Sequence, residues 1–283
     1  MLELNKEKGY SVAKLCKLGG VSKSGYYKWL ERKPSPKEID DTSLSDEIRR
    51  IHMGSDKVFG VERVQLALEV ELGLRVNIKR VRRLMRVLGL ASVIRRKRKN
   101  YVQATPQQTA ENVMGRNFAA GKPNQKWFTD VTYLKFGNGA KAYLSAVIDR
   151  YDMSVVAWKI STSNDNRLVL DTMKAAFMSN PGAKPMVQVD RGSQYTSGMF
   201  WDLKKEYGFE ISMSRASKCL DNQPIESFWG TYKSEFYYRT KFLTLESLVR
   251  ETGKYMDFYM NRRYVRRLGG LTPSQCRNSA LAA

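Results

Sequence analysis

Three acidic side chains stand where their chemistry would matter. Asp130 lies inside WFTDVTYLKF, an alternating stretch in which Phe128, Thr132, Leu134 and Phe136 share its side. A carboxylate on the apolar side of a strand is costly unless a cation or a metal meets it. Asp190 closes the run PMVQVD just before Gly192, at the C-terminal end of a short strand, where open α/β sheets build their sites. Glu226 falls in the first turn of a helix that opens at Asp221-Asn222-Gln223-Pro224. Taken alone, Glu226 reads first as a partner for the helix dipole. Together, three carboxylates from separate elements offer oxygen-only coordination for Mg²⁺, which completes its shell with water and phosphate. Two such ions, roughly 3.5–4 Å apart, can clamp the attacking and leaving oxygens of a phosphodiester. That chemistry needs neither a side-chain nucleophile nor a histidine. The chain has one histidine, His52, and three dispersed cysteines, Cys16, Cys219 and Cys276, which read as reduced thiols without a structural zinc.

The elements that would carry these acids follow in order. Strand patterns at WFTDVTYLKF, AYLSAVIDR and MSVVAWKI form a meander, with a turn at Gly137–Gly139. A helix from about Asp165 to Met178 precedes the strand that ends at Asp190. A helix beginning at Thr196 or Ser197 runs through Tyr207 and stops at Gly208. FEISM is a last short strand, and the helix bearing Glu226 follows, with Ile225, Phe228, Trp229, Tyr232 and Phe236 on one apolar side. The order is β-β-β-α-β-α-β-α. The three acids converge if the first and fourth strands are neighbours. Trp127, Phe228 and Trp229 read as core.

The bulk charge names the partner class. The 283 residues carry a formal charge of +21 and are 42% hydrophobic, a globular composition with a strong cationic excess. No apolar run approaches a membrane span, and the N-terminus lacks the apolar core of a signal peptide. Nucleic acid is the expected partner, in the cytoplasm. Residues 10–31 read as two short helices broken at Gly19-Gly20, with Val12, Leu15 and Leu18 on one stripe and Tyr26, Trp29 and Leu30 inward on the second. This is helix-turn-helix spacing, and equally that of a plain helical hairpin. Lys-Pro-Ser-Pro at 33–36 reads as a linker. A helical unit follows, with helices at 43–53 and 61–72 and a third capped by Asn77. In that third helix Ile78, Val81, Leu84, Met85 and Leu88 face inward, while Lys79, Arg80, Arg82, Arg83 and Arg86 cover the rest. From Leu74 to Asn100 no acidic residue appears, and RRKRK at 95–99 ends the run. Such a run has no ion pairs of its own, which favours contact with a DNA backbone.

Beyond these readings, the wording of the chain resembles one family. WFTDVTYL, DRGSQYTS, SMSRASKCLDNQPIESFWGTYKSE and YMDFYMNRRYVRRLGGLTPSQ occur in the order found in transposases of the bacterial IS-three insertion-sequence family. Asp130, Asp190 and Glu226, with 35 residues between the last two, resemble the DDE triad of the retroviral-integrase superfamily. VNIKRVRRLMRVLGL resembles the helical segment that precedes that core. The resemblance implies a ribonuclease-H-like α/β core, a five-stranded mixed sheet flanked by helices, after an all-α helix-turn-helix-like region. The expected organisation is a helix-turn-helix-like segment (1–36), a basic helical DNA-binding segment (43–100), a linker (101–124), the catalytic core (125–240) and a C-terminal helix with a basic tail (241–283).

The same resemblance implies DNA transposition by the product of an element's second reading frame: metal-dependent nicking at element ends and strand transfer into target DNA, with Mg²⁺ or Mn²⁺ held by Asp130, Asp190 and Glu226. It implies DNA contact at Lys233, a homo-oligomer on DNA, and a first-reading-frame protein as partner. Lys233 is otherwise a surface lysine; Asn222 either positions Glu226 or touches DNA, or is a helix cap; and Arg191 is either a phosphate ligand or the partner of a carboxylate. Glu235, later in the same helix, is a competing third carboxylate outside the family spacing. Arg262, Arg263, Arg266 and Arg267 read as a second basic patch. A ribonuclease-H-like nuclease that hydrolyses without joining, and a non-catalytic DNA-binding regulator, are the alternatives.

Overall fold

The computed structural model describes residues 11–94, 111–115, 117–215 and 219–282. The RRKRK run, residues 101–110 and residue 116 lie outside the described residues. The chain opens with α1 (Val12–Leu18) and α2 (Lys23–Leu30), which break at Gly19-Gly20; the Ser11 and Ser22 side chains cap them. Leu15, Cys16 and Tyr26 are buried, but Leu18, Trp29 and Leu30, expected inward, face solvent, at 78, 61 and 44% exposure. Helices of two turns bury only a narrow stripe, too narrow for the whole apolar side.

Residues 33–35 connect α2 to the next helix, and Pro36 already belongs to that helix. Ser35 caps α3 (Pro36–Gly54) in a capping box with Glu38, and Pro36 occupies the first turn, where its missing N–H costs nothing. The helix therefore starts seven residues before the expected Ser43. α4 (Val61–Leu72) and α5 (Ile78–Val87) complete the helical unit. Asn77 caps α5 by accepting the Lys79 N–H at 2.8 Å. Ile48, Val64, Ala67, Leu68 and Val81 are fully buried at its centre, and Phe258 and Tyr264 from the C-terminal part pack onto the same core.

The second half is a five-stranded mixed sheet in the order β3-β2-β1-β4-β5. β1 (Lys126–Phe136), β2 (Ala140–Asp149) and β3 (Val155–Ser161) form the antiparallel meander. β4 (Met186–Val189) and β5 (Glu210–Met213) add in parallel. The crossover into β4 is α6 (Asn166–Ser179), capped by Asp165, and that into β5 is α7 (Gly198–Tyr207), ended by Gly208 at φ +67. A left-handed residue there stops a helix, and glycine adopts it without steric cost.

α6 and α7 cover one face of the sheet, with Trp127, Val187, Val189, Phe200 and Phe209 in the shared core. The other face carries α8 (Gln223–Glu235) and α9 (Leu245–Asn261), packed on Phe128, Leu134 and Leu144 through Ile225, Phe228, Trp229 and Tyr232. Strand alternation explains the division: Trp127 and Phe128 point to opposite faces and both are fully buried. α10 (Pro273–Leu281) closes the chain. Before it, Gly270 at φ +93 passes so close to α4 that a Cβ would stand 3.0 Å from Leu66.

Candidate active site

The sheet order puts β1 beside β4, the adjacency the three acids require. Phe128 pairs with Gln188 in parallel register. Two residues further along each chain come Asp130, still inside β1, and Asp190, one residue past the end of β4, near enough that the Asp190 charge acts on Asp130. α8 lies over the Phe128 face of the sheet. Trp229 Nε1 donates to Asp130 Oδ2 at 2.9 Å. Glu226 precedes Trp229 by three residues, so it shares that side of the helix, exposed at its first turn.

Electrostatics give the same grouping. Burial first, then the adjacent Asp190 charge, push the Asp130 carboxyl up to about 7; Glu226 adds to the rise, and bonds from the Val131 amide and the Trp229 indole oppose it. Asp190 is raised by burial too, against a 2.8 Å bond from the Gly192 amide to its Oδ1. No Lys or Arg among the described residues forms an ion pair with Asp130 or Asp190. Neighbouring half-buried carboxylates with no ion-paired cation among the described residues suit a hard, oxygen-seeking divalent ion. Among the described residues no three His, Cys, Asp or Glu side chains close on a single metal-binding point. Glu226 therefore shares the electrostatic neighbourhood of the two aspartates without completing a three-acid cluster.

Polar groups flank the acids. Lys233, one turn beyond Trp229, donates from Nζ to Thr132 Oγ1 at 2.6 Å and sits 5.4 Å from the Tyr133 ring centre. Thr132 is two residues from Asp130, so this cation stands over the same strip of β1. Arg191 donates from Nε to the Ser214 carbonyl at 2.7 Å. Asn222 is not the side-chain cap expected of it. It is 5% exposed, makes no capping bond, and its Oδ1 has no hydrogen-bond partner among the described residues. A 3₁₀ turn at Cys219–Asn222 leads directly into α8 and replaces the side-chain cap. Asp221 is fully occupied elsewhere, by Arg215 and by Asn112 Nδ2.

The basic positions divide. Lys79, Arg82 and Arg86 are exposed and, among the described residues, form no ion pair. Arg80 and Arg83, grouped with them from the sequence, bind Asp40 and Asp41 on α3. The acid-free run finds its counter-charges in another helix, which spacing along α5 cannot reveal. Arg263, expected in an outward basic patch, is buried at 9% exposure and holds Glu235 through two parallel bonds of 2.9 Å. Glu235 is thus a structural acid. Burial alone would raise it, but Arg263 and Arg63 outweigh that and hold it below the usual carboxylate range.

Three groups escaped the sequence reading: Trp229 as a donor to Asp130, Glu235 as a buried node, and Tyr195. The Tyr195 hydroxyl lies 3.2 Å from Thr129 Oγ1, behind β1, and burial, then the Asp130 charge, push its pKa well above the ordinary tyrosine value. An indole N–H on an apolar helix side that must find a partner was the one available signal, for Trp229.

Comparison with known proteins adds the family. Residues 120–219 match the integrase core domain, residues 226–281 a second integrase core domain family, and residues 38–98 an HTH-like domain. The chain is 36% identical over 270 residues to the putative transposase InsK for insertion sequence element IS150 of Escherichia coli strain K12, covering 95% of this chain and 94% of that one. The chain belongs to the IS-three family of insertion-sequence transposases. It is also 30% identical to the transposase for IS629 of Shigella sonnei over 97% of its own length and 94% of the relative's. A solved structure of the HTLV-2 integrase catalytic core in complex with magnesium aligns with a TM-score of 0.44 and 18% identity, over 56% of this chain and 98% of that one. The HTH-like match falls on the α3–α5 unit of this transposase, not on the 1–36 segment where the sequence reading put helix-turn-helix character. As a transposase the chain acts on DNA through an integrase-type core that follows a helical unit.

Proposed function

We propose that Asp130, Asp190 and Glu226 form the catalytic centre of this transposase, holding Mg²⁺ or Mn²⁺, and that both DNA nicking and strand transfer run there as in-line phosphoryl transfers. One observation carries this reading. Asp130 in β1 and Asp190 just past the end of its parallel neighbour β4 act on each other electrostatically, with no ion pair to a Lys or Arg among the described residues, beside the helix that bears Glu226. The donor set is carboxylate oxygen throughout, which suits Mg²⁺ or Mn²⁺. Bound ions would supply Lewis-acid stabilisation of the attacking and leaving oxygens.

The protein's own groups divide the remaining work. Trp229 fixes the Asp130 carboxylate by its 2.9 Å bond. Lys233 and Arg191 flank the acids and are assigned to phosphates of the bound strand. Asn222, with its orphaned buried oxygen, is assigned to a bonding partner supplied by the DNA or its solvent shell. Lys79, Arg82 and Arg86 on α5 are assigned to the backbone of the flanking duplex. His52 takes no part. It is buried in the helical unit with Nδ1 2.9 Å from the Phe59 carbonyl oxygen. The partners this reading implies are DNA, a second copy of the chain on it, and the first-frame protein for recognition of element ends.

The test is Glu226→Gln and Asp130→Asn protein given Mg²⁺ and a duplex of the DNA that flanks its gene. Nicking and joining should both fall at least 100-fold, with duplex binding unchanged in a gel-shift measurement. Nicking at the wild-type rate in either variant overturns the assignment. Hydrolysis without joined product in the wild type assigns a nuclease instead.

A further inference from the structure

The helix that presents Glu226 is anchored at its other end by a buried charge. Glu235, the last residue of α8, is 4% exposed, and its carboxylate accepts four bonds. Arg63 Nη1 and Arg263 Nη2 reach Oε1, each at 2.9 Å; Arg263 Nε reaches Oε2 at 2.9 Å and Tyr255 Oη the same oxygen at 3.1 Å. The donors come from three places. Arg63 belongs to α4 of the HTH-like unit, Tyr255 to α9, and Arg263 to the turn after it. A second tie leaves the same helix end: Arg239 donates to the Glu235 carbonyl at 2.8 Å and to the Asp56 carbonyl, again in the HTH-like unit, at 2.9 Å.

A helix is stiff along its axis, and nine residues separate Glu226 from Glu235, a rise of about 13 Å. Its middle is fastened to β1 by Trp229 on Asp130 and Lys233 on Thr132. Its far end is fastened by Glu235. Two fixings on one rod determine both its slide and its rotation, and either motion would carry Glu226 with it. A buried, fully bonded carboxylate has a single satisfied arrangement, so the far fixing is specific and not merely greasy.

We propose that Glu235 and Arg63 are positioning residues: they tie the seat of the HTH-like unit to the placement of Glu226, so that this unit sets the geometry of the catalytic helix as well as gripping DNA. The inference rests on the carboxylate reading of the active centre given above. Arg63 is the informative position, because Arg263 and Tyr255 still satisfy Glu235 without it and the fold keeps its buried pair.

The experiment compares Arg63→Met, Arg63→Lys and Glu226→Gln in the full chain, with Mg²⁺ and the duplex of gene-flanking DNA. It measures the single-turnover nicking rate at saturating protein, the duplex Kd and the melting temperature. Arg63→Met should lower the saturating rate about tenfold to a hundredfold, the scale of a misplacement near 1 Å, while Kd changes less than threefold. It should also raise the Mg²⁺ concentration for half-maximal rate, and Arg63→Lys should restore part of the rate. A saturating rate equal to wild type overturns the proposal, as does a loss wholly accounted for by Kd, which would make Arg63 a phosphate contact. Should Arg63→Met fail to fold, Arg239→Met cuts the other tie at an exposed side chain. A severalfold lower saturating rate then supports the proposal, and an unchanged one overturns it. If Glu226→Gln itself nicks normally, the active-centre reading has failed; if only Arg63→Met does, the coupling alone has failed.

Discussion

In the proposed centre Asp130 is the most buried of the three acids, and its proton is the accessible handle. Its folded value of about 7 lies above the roughly 3.9 of an unfolded aspartate. Below pH 4 both states hold the proton. Between about 4 and 7 only the folded state does, so the group favours the fold at the acid end and that contribution is lost as pH rises through 7. If Asp130 is a metal ligand as proposed, binding needs its carboxylate and must expel this proton below pH 7. We expect the half-saturating Mg²⁺ concentration to fall as pH climbs to about 7 and to level above it. Calorimetric titration in buffers of different ionisation enthalpy reads the released proton directly. An affinity independent of pH from 5.5 to 8 would remove Asp130 from the ligand set. Trp229→Phe deletes the indole donor while keeping most of the ring packing. A bond to a charged group is worth about 1.5–3 kcal/mol, so the nicking profile should move to higher pH and the defect should shrink in alkaline buffer. A defect of equal size at every pH would make Trp229 a packing residue only.

At the scale of elements, α5 separates its cations by partner. Lys79, Arg82 and Arg86 are exposed, whereas Arg80 and Arg83 are tied to Asp40 and Asp41. Arg82→Ala should flatten the dependence of log binding constant on log salt by about 0.9, one phosphate contact. Arg80→Ala should leave that slope alone and lower stability instead; anisotropy titrations over a salt series distinguish them, and equal slopes in the two variants would contradict the division. The same contrast marks how far local pattern carries. β1 was readable because its period of two and a misplaced acid are written within eleven residues. The Gly208 stop and the Asp165 cap were readable for the same reason. α3 begins earlier than its apolar spacing implies because Pro36, which reads as a breaker, sits in its first turn, behind a serine that forms a capping box with the glutamate three residues on. Glu235 and Arg263 could not be read as buried. Their partners lie 28 and 172 positions away in sequence, and no periodicity reports a pairing at that range.

Across the whole molecule the C-terminal segment does the joining. Tyr264 donates to Glu71 at 3.2 Å, Phe59 packs between the rings of Phe258 and Tyr264, and Gly270 presses on Leu66. On the other side Arg277 of α10 reaches the sheet, donating to Asp149, Asp152, Ser154, Asn124 and Asn180. Asp149 and Asp152 are fully buried, so Arg277→Met would strand two acids without their cation. The expected cost is about 3–5 kcal/mol in urea unfolding, with the melting temperature falling accordingly. A loss under 1 kcal/mol would show that solvent or the neighbouring amides already compensate these acids.

The parallel pairing of Phe128 with Gln188 sets a parity rule on chain length. Side chains alternate with period two, so adding or deleting a single codon between Lys126 and Asp130 would turn the carboxylate to the Tyr195 side of the sheet. In-frame length variants that keep activity should therefore gather in the 137–139 hairpin tip and be missing from the five residues leading into Asp130.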